Sequence, residues 1–163
     1  MKSVFDKTTR DQLINRINSL NENSSAQWGK MNIYQMLKHC TMCDEMFLGK
    51  KRYKRVFLGR LLGKMALKNM LKDEAPLKKG APTGTAFRIK EAVGDIAGEK
   101  KKWVSLVEEY ANYSIVPLEH WFFGKMTREQ VSTGQNKGLA KEETFITELN
   151  RAVNGMDEVA AMH

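Results

Sequence analysis

The chain has 163 residues, of which 42% are apolar and 28% charged, with 27 Lys or Arg against 19 Asp or Glu. This composition predicts one globular domain over residues 1–163 and excludes both a disordered tail and a disulfide-stapled miniprotein. The longest stretch without Asp, Glu, Lys or Arg is nine residues, 110–118, which is too short to span a membrane as a helix. The charged N-terminus predicts no secretory signal, and we expect a cytoplasmic protein.

The net charge of +8 is concentrated in one segment. Residues 50–90 contain 13 basic residues and only two acidic ones, which leaves a net charge of −3 for the rest of the chain. Clustered Lys and Arg can contact nucleic-acid phosphates or anionic lipid headgroups. No helix-turn-helix spacing, zinc-finger pattern or RNA-binding motif accompanies the segment. We expect a solvated cationic face over an apolar stripe that docks on the bundle, so nucleic acid or an anionic membrane is not the expected partner.

Apolar residues at helical spacing predict the first two helices. The first covers residues 8–21, and Thr8 or Thr9 is its expected N-cap. The second covers residues 32–49, and its first residues, an Asn followed three positions later by Gln35, predict a capping box.

A third helix, residues 52–72, is predicted to be amphipathic. Its apolar face consists of Phe57, Leu58, Leu61, Leu62, Met65 and Leu71, and its basic face consists of Arg60, Lys64, Lys68 and Lys72. We expect the apolar face to pack on the rest of the domain and the basic face to be solvated. The four basic residues are the candidate surface for an anion or a partner.

The remaining elements complete an all-α prediction. An irregular stretch, 73–94, leads to a fourth helix at 95–113 and a fifth at 127–151, where Thr127 and Gln130 predict a second capping box. No alternating run of strand length is present. We therefore predict a helical bundle with one long crossover, residues 52–94, between the second and fourth helices.

His39 lies in the middle of the second helix, with Gln35 and Cys43 one turn away on either side. All three side chains therefore point in one direction. A neutral imidazole on an inward face of a bundle can act as a metal ligand or a base. The alternative is a buried histidine that is hydrogen-bonded to a neighbour, and the spacing alone favours this second interpretation.

The cysteines Cys40 and Cys43 form a C-x-x-C pattern. Redox pairs of this kind act at a helix N-terminus, where the dipole favours the thiolate. This pattern falls in the third turn of the predicted helix, so we interpret both cysteines as small core residues in a reducing compartment.

His120 precedes three aromatic residues in the sequence HWFFGKMT. A loop histidine packed by those rings could form the wall of a pocket, and a partly exposed histidine fits the pattern equally well. His39 and His120 cannot by themselves form a zinc site, because catalytic zinc needs about three protein ligands.

Three sequence blocks resemble an uncharacterised bacterial branch of the DinB-like superfamily. They are residues 28–40 (WGKMNIYQMLKHC), 81–89 (APTGTAFRI) and 120–130 (HWFFGKMTREQ), and the resemblance covers nearly the whole chain in order. It implies a four-helix bundle formed by the predicted helices other than the basic third one. That third helix then belongs to the long crossover.

The resemblance also implies a metal site. Members of the superfamily commonly bind zinc or nickel through one histidine of the second helix and a His-x-x-x-His pair of the last helix, and some are metal-dependent thiol transferases. The first position matches His39, but the pair falls at Gly138 and Glu142, where both histidines are missing. His39 with Glu142 should hold a divalent metal only weakly unless His120, Cys43 or a substrate completes the site.

These observations leave three hypotheses for function. The first is a non-catalytic protein with a degraded metal site that binds a small molecule, or nothing, in a pocket near Trp28, Gln35, Cys43 and His120. The second is a metal-dependent thiol transferase or hydrolase with an altered ligand set. The third is an interaction module that uses the basic helix, and a homodimer is compatible with all three.

Overall fold

A computed structural model describes residues 4–24, 30–72, 84–113, 118–127, 129–131 and 133 of the chain. Its elements are α1 (Lys7–Ser19), α2 (Ile33–Phe47), α3 (Phe57–Met70), a short 3-10 helix (Thr85–Phe87), α4 (Ile96–Glu109), and the strands β1 (Leu118–His120) and β2 (Gly124–Met126). The fold is a helical bundle with one small hairpin, which confirms the all-α prediction. Of the predicted fifth helix, only residues 129–131 and 133 fall within the described part, and they are helical.

The main core lies between α1, α2 and α4. Each helix contributes one stripe of apolar side chains at the expected spacing. The most deeply buried members are Leu13, Ile17, Leu37, Trp103 and Val107, each at most 2% exposed. The crossover carries α3 away from this core, and α3 packs against the hairpin instead.

A carboxylate is buried inside the main core. Asp44 of α2 is 2% exposed. Its Oδ2 accepts a 2.8 Å hydrogen bond from the indole Nε1 of Trp103, and its Oδ1 accepts one of 2.8 Å from the Tyr110 hydroxyl. Burying an anion is costly unless hydrogen bonds satisfy it, so these bonds fix the register of α2 against α4. The sequence pattern did not single out Asp44.

The helix starts agree with the sequence in two of three cases. The capping box of Asn32 and Gln35 is confirmed, with bonds of 2.9 and 3.1 Å. The box of Thr127 and Gln130 is confirmed as well, with bonds of 2.9 and 3.3 Å.

The predicted cap of α1 is wrong. Asp6 occupies the N-cap position, so Thr8 and Thr9 lie inside the first turn. The Arg10 side chain donates hydrogen bonds to the carbonyl oxygens of Val4 and Phe5, at 3.1 and 2.7 Å. These bonds hold the preceding turn, and no side-chain cap is present at Asp6.

The hairpin was not predicted, because strands of three residues are too short to show alternation. His120 pairs with Gly124 at its turn, which is formed by residues 121–123. Gly124 has φ +78°, a conformation that favours glycine, and a Cβ there would also collide with the Arg55 guanidinium.

The structure corrects the prediction for α3 in two respects. The helix begins at Phe57 rather than at residue 52. It also packs through a glycine face, formed by Gly59, Gly63 and Leu67, and not through its large apolar residues. A Cβ at either glycine would overlap the backbone of Phe122 in the hairpin turn, so only glycine permits this close approach.

The large apolar residues of α3 are exposed. Phe57 is 75% exposed, Leu61 65%, Met65 59%, Leu58 54% and Leu62 42%. We call these five residues the apolar face of α3. Leu71, which the sequence placed with them, packs instead on a second small core with Leu67, Met126 and Val131. Within the described residues, no helix combines the length and the hydropathy that crossing a membrane would require.

Candidate functional site

Both ring nitrogens of His39 have partners within the protein. Nδ1 lies 3.3 Å from the carbonyl oxygen of Phe87, and Nε2 lies 3.7 Å from the Cys43 sulfur. A carbonyl oxygen can only accept, so Nδ1 carries the proton and donates it to Phe87. In the neutral ring Nε2 is then the acceptor for the Cys43 thiol. The partners of His39 thus fix one tautomer.

His39 belongs to a row of α2 side chains that hold the crossover by its main chain. The Asn32 amide donates to the carbonyl of Ala92 at 2.6 Å, and the Gln35 amide donates to that of Ile89 at 3.2 Å. The His39 bond to Phe87 extends the row by one more turn. Gln35, a predicted pocket residue, is therefore used in holding the crossover against α2.

Tyr53 provides a polar group close to Cys43. Its hydroxyl is buried and has no hydrogen-bond partner in the part of the chain that is described. Burial is the main cause that raises the pKa of Tyr53 to about 12, and the neighbouring Glu45 and Cys43 add to the same shift. At neutral pH the hydroxyl is therefore protonated and can donate. Glu45 is itself paired with Lys102 at 2.7 Å.

Aromatic rings separate His39 from His120. Phe87 contacts His39 on one side, with ring centroids 6.1 Å apart, and Trp121 on the other, at 5.7 Å. Trp121 in turn contacts His120 at 5.5 Å. The contact path between the two histidines thus runs through two rings, while Tyr53 packs on the Phe87 ring at 4.5 Å.

His120 is buried, at 7% exposure, and stabilises the hairpin turn. Its Nδ1 accepts hydrogen bonds from the backbone N–H groups of Phe122 and Phe123, at 3.1 and 3.2 Å, and its ring stacks on Phe123. The interpretation as a partly exposed residue is therefore wrong. Burial lowers the pKa of His120 from 6.5 to about 4.

The low pKa of His120 predicts acid sensitivity. The unfolded chain takes up the proton near pH 6.5 and the folded chain near pH 4, so stability is complete above pH 6.5 and falls as the pH drops through this window. We expect a loss of about 3 kcal/mol in the free energy of unfolding. Urea titrations from pH 7 to pH 4 measure it.

The matched variant is His120→Asn, whose side-chain oxygen can still accept the two backbone N–H groups but cannot titrate in this range. The difference in pH slope between wild type and variant isolates His120 from the carboxyl groups. Parallel slopes would contradict the prediction.

The described residues do not complete a metal site. His39 Nε2 and Cys43 Sγ are 3.7 Å apart, close to the separation of about 3.5 Å expected for two ligands of one tetrahedral zinc ion. Among the described residues, however, no group of three or more His, Cys, Asp or Glu side chains could hold a metal. Trp28, Gly138 and Glu142 lie outside the described residues.

The predicted basic surface is exposed. Arg60, Lys64, Lys68 and Lys72 all point into solvent, and we call them the cationic row. Within the described ranges none of the four forms an ion pair.

Comparison with known sequences places the chain in a family. A family model described as "Protein of unknown function (DUF1569)" matches residues 2–148. The chain belongs to the DUF1569 family. No curated protein and no solved structure matches it. The DUF1569 match includes His39, Cys43, His120 and the glycine face of α3.

Sequence reasoning missed two residues of the candidate site in this DUF1569 protein. Tyr53 follows the end of α2 by six residues and Phe87 by 40, and no helical spacing connects either of them with His39. The glycine face could have been found, because Gly59 and Gly63 are four residues apart in a predicted helix. That spacing puts two positions without side chains on one side of the helix.

Proposed function

We propose that this DUF1569 protein is a DinB-like bundle with a degraded metal site, and that it binds a small molecule beside Cys43 without metal catalysis. One observation carries the proposal. His39, the residue that matches the first metal ligand of the superfamily, lies in no group of three or more His, Cys, Asp or Glu side chains that could hold a metal among the described residues. Cys40 and Cys43 are thiols and not a disulfide, which agrees with the bacterial cytoplasmic location that we propose.

The groups around Cys43 define the chemistry of the ligand. Tyr53 offers a buried hydroxyl that can donate a hydrogen bond, and the Phe87 ring beside it offers an apolar surface. Glu45 is neutralised by Lys102, so the site has no excess charge of either sign there. These features suit a neutral molecule with a carbonyl or hydroxyl oxygen and an apolar part.

Metal analysis tests the first half of the proposal. Protein purified without a histidine tag is dialysed with zinc or nickel and then against metal-free buffer. We expect the retained metal to stay well below one equivalent and to be unchanged in His39→Ala. Retention of one equivalent in the wild type, lost in His39→Ala, would contradict a degraded site.

Ligand-detected NMR with a fragment library tests the second half. Fragments that carry a carbonyl or hydroxyl oxygen should bind the wild type and bind Tyr53→Phe at least about fivefold more weakly, because one hydrogen bond is lost. Tyr34→Phe is the control, since that hydroxyl bonds to Lys38 outside the site. Equal effects of the two variants would argue against the site.

A metal-dependent thiol transferase is a second candidate, favoured by the 3.7 Å between His39 Nε2 and Cys43 Sγ. In this alternative Glu142 supplies a further ligand, so Cys43→Ala and Glu142→Ala should each abolish zinc retention. Cys40→Ala is the matched control, because that thiol is buried and directed at the Met36 sulfur. Zinc retention that survives Cys43→Ala and Glu142→Ala would eliminate this candidate.

A further inference from the structure

We propose that α3 docks the protein on the surface of anionic lipid bilayers. In this proposal the apolar face of α3 enters the boundary between headgroups and acyl chains, and the cationic row contacts lipid phosphates. The inference concerns a different surface from the Cys43 site and does not depend on the function proposed for it.

The orientation of α3 is the first argument. At about 100° per residue, the five apolar residues cover an arc of about 140° on the side opposite the glycine face. The glycine face is fixed on the hairpin by the close approach of Gly59 and Gly63 to Phe122. The apolar face therefore points away from the body, with Phe57 75% and Leu61 65% exposed. A bilayer can reach it without any rearrangement of the described part of the bundle.

The charge of the region is the second argument. Residues 50–72 contain nine basic residues and no acidic one. The cationic row begins on one flank of the apolar face and continues onto it, so Lys64 lies one turn from Leu61 and Lys68 one turn from Met65 on the helix surface. A helix with an apolar face bordered by Lys and Arg is the arrangement that binds in the plane of an anionic membrane.

Other partners would match either the apolar face of α3 or the cationic row, but not both. A second copy of the chain, paired α3 to α3, would bring two cationic rows together with no carboxylate on either helix to neutralise them. Nucleic acid would satisfy the Lys and Arg side chains but leave Phe57 and Leu61 in water. Anionic lipid satisfies both the charges and the apolar surface.

Sedimentation with lipid vesicles tests the proposal on the full chain. The vesicles are phosphatidylcholine alone, or phosphatidylcholine with phosphatidylglycerol at three to one. We expect binding to the anionic vesicles only, and weakening as salt is added. The double variants Phe57→Ser/Leu61→Ser and Lys64→Glu/Lys68→Glu should each lower the partition coefficient about tenfold or more.

Matched controls lie elsewhere on the surface. Val93→Ser removes an apolar side chain that is 86% exposed, and Lys90→Glu/Lys101→Glu makes the same change of charge outside α3. Both should bind as the wild type does. All the substituted side chains are exposed, and thermal melts confirm that the variants are folded.

Several results would overturn the proposal. One is the absence of binding to anionic vesicles at low salt. Another is unchanged vesicle binding by Phe57→Ser/Leu61→Ser. If the protein ignores vesicles but forms a dimer that this variant dissociates, as seen by light scattering, the face belongs to a second copy. Retention of duplex DNA without vesicle binding would assign the cationic row to nucleic acid.

Discussion

Replacing Asp44 by alanine should lower the free energy of unfolding by about 3–5 kcal/mol. The substitution leaves the Trp103 indole N–H and the Tyr110 hydroxyl without their acceptor in a site that water does not reach. It also leaves a cavity between α2 and α4. Urea unfolding followed by circular dichroism at neutral pH measures the loss.

Two milder substitutions provide a scale for the loss of stability in Asp44→Ala. Tyr110→Phe removes one hydrogen bond and keeps the ring, so it should cost about 1–2 kcal/mol. Asp44→Asn keeps the shape but turns an amide N–H toward one of the donors, and its cost should lie between those of Tyr110→Phe and Asp44→Ala. If Asp44→Ala were no worse than Tyr110→Phe, the carboxylate would not be organising the core.

Replacing Gly63 by valine should detach α3 from the hairpin. Even a Cβ at this position overlaps the carbonyl oxygen of Phe122, and the branched side chain adds two more methyl groups. We expect a loss of about 3 kcal/mol or more, most of it local to α3 and the second small core around Leu67 and Met126. Hydrogen exchange of the α3 amides should therefore accelerate more than that of α2.

The variant Gly63→Ala separates the effect of the contact with Phe122 on stability from the effect of helix propensity. In an exposed position this change would stabilise the helix by about 1 kcal/mol, so a destabilised protein would show that the contact with Phe122 dominates. Asn69→Ala, at an exposed position of the same helix, is the control and should be neutral or mildly stabilising. A stabilised Gly63→Ala would contradict the close approach seen in the structure.

The sequence predicted those parts of the fold that depend on local periodicity. The stripe that buries Trp103 and Val107 follows from spacings of three and four, and the box of Asn32 and Gln35 follows from local hydrogen bonding. Asp44 was not predictable in this way, because its donors lie on α4, 59 and 66 residues away along the chain. Only the pairing of two helices brings those groups together.

The docking of α3 shows a second reason why sequence analysis did not predict part of the fold. An amphipathic pattern establishes that a helix has an apolar side, but it does not establish that this side is the one in contact. Here Gly59 and Gly63 allow backbone to approach backbone, which a scale of side-chain hydrophobicity does not register. The large residues therefore stay outside although their pattern predicted burial.

Only the part of the candidate site that lies on α2 was predictable from the sequence. His39 and Cys43 are one helical turn apart, so their contact follows from the sequence once α2 is a helix. The Phe87 carbonyl and the Tyr53 hydroxyl reach the same place through the crossover, whose path is set by tertiary contacts. The hydrogen bonds that His120 makes in the hairpin likewise depend on a turn that no alternation of apolar and polar residues predicted.

The row formed by Asn32, Gln35 and His39 has a consequence for how freely the crossover can evolve. All three side chains bind main-chain oxygens, which every residue type supplies, so the course of the crossover is set by α2 and not by its own exposed side chains. Positions such as Arg88 and Lys90 are then open to substitution without a change of path, provided the backbone conformation is allowed. Mutational tolerance should be high at the exposed positions of residues 88–93 and low at Asn32, Gln35 and His39, which hold this segment.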